Sequence, residues 1–109
     1  METTMYIFKP DGDHDVLEVD LARDPGYIEL KKLVEPLLSG GMERVTVKFQ
    51  DKVVDMFVDE IGLLKGLPRN EAATMIYRKN TLDHNPEMDP EELSFIAGVA
   101  VVFNRPVWF

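Results

Sequence analysis

The repeat of apolar residues along this chain changes from two to between three and four and back again. That change constrains the fold more than any single motif does. Met5 to Lys9 is a short apolar run that Pro10-Asp11-Gly12 ends as a turn, because proline fixes its own φ and glycine accepts positive φ. Val16 to Leu21 then sets Leu17, Val19 and Leu21 on one face and Glu18 and Asp20 on the other, predicting a half-buried strand and a first hairpin. Asp24-Pro25 predicts a helix start, with Leu30, Leu33, Val34, Leu37 and Leu38 spaced to face a sheet and Pro36 stopping or kinking the helix near Val34. Alternation returns at Val45, Val47 and Phe49. Asp51-Lys52 then turns the chain into a strand over Val53 to Val58. A second helix is predicted over Asn70 to Lys79, with Ala72, Ala73, Met75 and Ile76 on its apolar side. Phe95 to Phe103, apolar without interruption by charge, reads as a central strand covered on both faces. The order is ββαββαβ: an α+β fold with a mostly antiparallel sheet of about five strands and two helices on one face.

A chain of 109 residues, 45% hydrophobic and 29% charged, suits a single domain with one core. It holds no cysteine, which rules out a disulfide framework, a thiolate metal site and a cysteine nucleophile. The start, Met1-Glu2-Thr3-Thr4-Met5-Tyr6, has no signal-peptide character, and no stretch has the length of a membrane span, so a cytoplasmic protein without membrane contact is expected. The net charge of −8 is concentrated in two segments. One holds Asp11, Asp13, Asp15, Glu18, Asp20 and Asp24, and the other Asp83, Glu87, Asp89, Glu91 and Glu92 in an expected flexible loop over residues 80–92. Residues 25–80 carry eight acids against nine bases. Acidic segments of this kind disfavour direct nucleic-acid binding, which needs concentrated Lys and Arg.

Asp11, Asp13 and Asp15 resemble the first ligands of a calcium loop, but Val16 stands where the loop needs glycine and Ala22 where it needs glutamate, so a solvated hairpin tip is expected. His14 and His84 each sit in a loop near aspartate, and neither Ser39 nor Ser94 belongs to a nucleophile pattern. The segment Gly62 to Pro68 places Lys65 among glycines, yet it lacks phosphate-loop spacing, and Leu63, Leu64 and Leu67 suggest a buried apolar turn. No catalytic residue, metal site or cofactor is assigned. A candidate ligand cleft would use Lys65, Arg69, Asn70 and Tyr77 at the start of the second helix. Trp108 and Phe109 end the chain as candidate interface aromatics, and with two sheet edges to protect they predict a homodimer.

The run Val58-Asp59-Glu60-Ile61-Gly62-Leu63-Leu64-Lys65-Gly66-Leu67-Pro68-Arg69-Asn70-Glu71-Ala72-Ala73-Thr74 resembles the central motif of a family of small phage, plasmid and bacterial proteins catalogued as domain of unknown function 3846. Tyr6-Ile7-Phe8-Lys9-Pro10 is similar to that family's opening strand, Leu30-Lys31-Lys32-Leu33-Val34 to its helix, and Ile96 to Val102 to its closing strand. The chain departs from the pattern at Glu35-Pro36-Leu37-Leu38-Ser39 and in the acidic loop after Asn80. The resemblance implies a mobile-element connection and names no reaction. The function expected is therefore a non-enzymatic module that binds a partner protein. An enzyme or small-ligand binder using the Lys65–Tyr77 cleft is the competing expectation.

Overall fold

The computed structural model describes residues 1–38, 40–89 and 92–108. Five strands, β1 (Glu2–Phe8), β2 (His14–Asp20), β3 (Met42–Phe49), β4 (Lys52–Asp59) and β5 (Ala100–Phe103), and two helices, α1 (Gly26–Leu38) and α2 (Glu71–His84), follow the order ββαββαβ. They build one sheet, β2-β1-β5-β4-β3, in which every neighbouring pair is antiparallel. The α+β architecture read from the sequence is the one observed. No helix among the described residues is long and apolar enough to cross a membrane.

The helices do not share a face. Met5, Ile7, Phe57, Val101 and Phe103 pack with Leu30, Val34 and Leu38 of α1, whereas Val54, Met56, Val58, Ala100 and Val102 pack with Ala73, Ile76 and Tyr77 of α2. The physical reason lies in the central strands, whose alternate side chains are apolar on both sides, so one covering layer would leave half of them in water. β5 itself is short. Gly98, at φ +86°, breaks the apolar run, and Ala97 before it makes only an isolated bridge to Arg69.

Other boundaries move for local reasons. Gly26, at φ +79°, opens α1 one residue beyond Pro25. The helix then runs through Pro36 to Leu38. Pro36 and Lys32, whose carbonyl loses its helical partner, both lie on the exposed side, where that carbonyl is not sealed from solvent, while buried Leu38 anchors the last turn. The β3–β4 turn is Gln50-Asp51, one residue earlier than predicted, with φ +52° and +62°. Two left-handed residues form the tight turn whose twist matches a two-residue hairpin. α2 extends to His84, into the predicted acidic loop, and its inner face uses Thr74 and Tyr77, while Met75 points outward. Pro90 and Glu91 of that loop, and Ser39, lie outside the described residues. β2 is an edge strand whose predicted face is covered only toward its end: Leu17 is exposed, while Val19 packs against the core on the α1 side and Leu21, just beyond the strand, is buried.

Candidate functional site

The site is shaped by how the chain leaves β4. Asp59 ends the strand and its carboxylate accepts from the Ile61 N–H at 3.0 Å and from Lys65 Nζ at 2.6 Å. Backbone bonds from Gly62 to Asp59, Lys65 to Ile61, Gly66 to Leu63 and Leu67 to Gly62 wind the segment into a compact turn. Gly62 is needed there, because a Cβ would stand 2.8 Å from the Ala97 carbonyl oxygen. A turn this tight can press only one side on the protein. Leu63 and Leu64 therefore stand outward, 51% and 87% exposed, and the buried apolar turn expected from the sequence is corrected.

The opposite wall is the segment leading to β5, held along α2 by side chains. Asn70 caps the helix, accepting from the Ala73 N–H at 3.1 Å. Its amide donates to the Phe8 and Gly98 carbonyls at 2.9 Å each, and its own backbone N–H donates to Ile96. The Thr74 hydroxyl accepts from the Ile96 N–H at 3.0 Å, and Arg78 donates to the Leu93 carbonyl at 3.1 Å. The Arg69 guanidinium lies 5.3 Å from the centre of the Phe95 ring.

Between these walls opens a cleft of about 400 Å³. Val45 and Val58, side by side on the α2 face of the sheet, line it with Ile61, Leu63, Leu64, Tyr77, Phe95 and Ile96. Glu43, Asp59 and Glu60 are the acids of its lining, although the Asp59 side chain turns to the opposite face of the sheet from Val58 and holds Lys65 there. The volume lies within the range of small-molecule pockets.

The four residues expected to form a ligand cleft are not brought together. Tyr77 lines this cleft, but Lys65 is paired with Asp59, Arg69 bonds Glu71 and covers Phe95, and Asn70 is completely buried with its amide committed to the backbone. No sequence pattern marks Glu43, Val45 or Phe95 as site residues, and Leu63 and Leu64 read as a buried turn. Paired leucines on a glycine-bounded turn were the one signal available, since such a turn cannot bury both.

Trp108 packs on its own sheet. Its ring meets Phe57 at 6.2 Å and Tyr27 at 5.9 Å, and the Arg44 guanidinium lies 5.6 Å from the ring centre. Asp55, buried on β4, accepts from the Val107 and Trp108 N–H groups at 2.9 and 3.1 Å and so ties the tail down. Phe109 lies outside the described residues. Of the sheet edges, β3 has its Thr46 carbonyl bonded by Asn80 of α2, and β2 carries Asp15, Glu18 and Asp20. His14 lies beside the Phe8 ring and His84 Nδ1 contacts the Asn80 carbonyl. Among the described residues no three His, Cys, Asp or Glu side chains gather to hold a metal ion.

The hydrogen bond from Lys65 holds the Asp59 carboxyl below its ordinary value of 3.8; burial opposes this and the Ile61 N–H assists. A carboxyl whose folded pKa is depressed stabilises the fold fully above its unfolded value and loses that contribution as pH falls through the folded value. Lys65→Met is expected to cost about 1 kcal/mol at neutral pH, since the ammonium is partly exposed to solvent. Urea unfolding at stepped pH should show the gap to wild type closing on acidification below 3.8. A gap that persists unchanged into strong acid would mean that the pair is not its source.

No known family model, curated protein or solved structure matches the chain.

Proposed function

We propose that the protein is a non-enzymatic binding module of the cytoplasm that takes a segment of a partner protein into the cleft between α2 and the turn after β4. The observation that carries this is Leu64, 87% exposed at the lip of a cleft with apolar walls. Contiguous exposed apolar surface rimmed by polar groups is characteristic of contact sites, and covering it removes that surface from water. The resemblance to a family of phage and plasmid proteins suggests a partner belonging to a host or to a mobile element. A small ligand as occupant draws on Tyr77 alone, because Lys65, Arg69 and Asn70 are engaged elsewhere. Self-association draws less support still, with Trp108 packed inward, the β3 edge bonded by α2 and the β2 edge acidic.

Affinity capture on the full chain tests the proposal. A partner retained by wild type should be lost on Leu64→Asp and kept on Met75→Asp, a change on the outer face of α2 away from the cleft. Retention by all three would place the contact elsewhere.

A further inference from the structure

We infer that the segment bound in the cleft carries a bulky apolar side chain next to a lysine or arginine. The apolar group seats among Val45, Tyr77 and Phe95, and the cation meets Glu43 and Glu60. This rests on the binding function proposed above and adds the chemistry of the occupant.

The charge distribution around the cleft carries the inference. Its lining includes three acids and no Lys or Arg. The cations nearby are all committed: Lys65 to Asp59, Arg69 to Glu71 and the Phe95 ring, and Arg78 to the Leu93 carbonyl. Asp59 is answered by Lys65, but among the described residues no hydrogen bond or ion pair engages the carboxylate of Glu43 or of Glu60. The two lie on the same side. Glu60 folds over Gly41, where a Cβ would come within 2.6 Å of its Oε1, and Gly41 is two residues from Glu43 at the start of β3. Glu43 in turn is paired across the ladder with Val58, which lines the cleft. An occupant anchored by an apolar group thus leaves the cleft on this side beside two unanswered carboxylates.

Complementary charge at a rim favours the matching partner, speeds encounter and excludes anionic competitors. The net charge of −8 adds a long-range field of the same sign. An acidic or neutral segment would bring its own charge, or none, to a rim that gains nothing from it. Tyr77, whose hydroxyl has no hydrogen bond among the described residues, can bond the occupant's backbone within the cleft.

The test is selection of a phage-displayed random peptide library on the immobilised full-length chain, followed by fluorescence anisotropy with the selected peptides. Selected sequences should share a Leu, Phe, Met or Trp with a Lys or Arg close by. Glu43→Gln and Glu60→Gln should each weaken them about two- to fivefold, and the double variant should lose most of the salt dependence shown by wild type. Both carboxylates are exposed, so neither change threatens folding. Leu64→Asp should weaken the same peptides about tenfold or more. Peptides that respond to Leu64→Asp but lack basic residues, or bind the double variant as tightly as wild type, would overturn the inference and leave the binding function standing. Peptides indifferent to Leu64→Asp would overturn both.

Discussion

Asp55→Ala is expected to cost about 3 kcal/mol of folding stability and to free the carboxy-terminal tail. One buried carboxylate bonds the Val107 N–H at 2.9 Å, the Trp108 N–H at 3.1 Å and Arg44 Nη1 at 3.3 Å. Alanine removes all three acceptor contacts and leaves the guanidinium over the Trp108 ring without its counter-charge. Arg44 is partly exposed, so the larger share of the cost comes from the two backbone donors beneath the indole. For a domain of this size the change corresponds to a fall in Tm of roughly 12–20 °C. Trp108 is the only tryptophan, so its fluorescence reports on the tail directly. Emission should shift to the red under native conditions as the ring leaves Phe57 and Tyr27. Unchanged emission with a loss below about 1 kcal/mol would mean that apolar contact alone holds the tail.

Asn70 gives the second large effect, and its two substitutions separate a helix cap from a wider structural role. A cap accepts one hydrogen bond, and aspartate caps as well as asparagine, so a simple cap predicts that Asn70→Asp is silent. Here the amide also donates to carbonyls of Phe8 and Gly98, on β1 and just before β5, while its oxygen serves Ala73. Asn70→Ala should cost about 3 kcal/mol. Asn70→Asp should cost at least as much, since it keeps the cap but sets a carboxylate against two carbonyl oxygens in a site closed to water. Chemical denaturation of both variants decides it. A near-neutral Asn70→Asp would contradict the network.

The elements were legible because alternation and turn residues are local. Val45, Val47 and Phe49 do share a face, and Leu30, Val34 and Leu38 do point inward. Position within the sheet was not legible. Leu17 alternates as Val47 does, yet on the edge strand β2 it stays exposed while Val19 and Leu21 beyond it reach the core, and only the pairing order decides that. The opposite-face placement of the helices was implied by the apolar run before Phe103, which requires cover on both sides, but its consequence for α1 and α2 depends on which strands lie at the centre. Asn70 reads as a polar group available to a ligand until its acceptor on Phe8, 62 residues away, is seen. The cleft was the least legible feature. Its walls come from β3, β4, the turn after it, α2 and the segment before β5, and no local pattern brings Glu43 to Phe95.

The central claim is that partner contact occurs in this cleft, and the most direct measurement is the dissociation constant of one bound segment for wild type, Leu64→Asp and Met75→Asp. Both positions are exposed, at 87% and 69%, so both substitutions place a carboxylate on the surface without disturbing the core. Only Leu64 lines the cleft. The expected result is a weakening of about tenfold or more for Leu64→Asp and no change for Met75→Asp. Equal affinity for wild type and Leu64→Asp, or an equal loss in both variants, would contradict it.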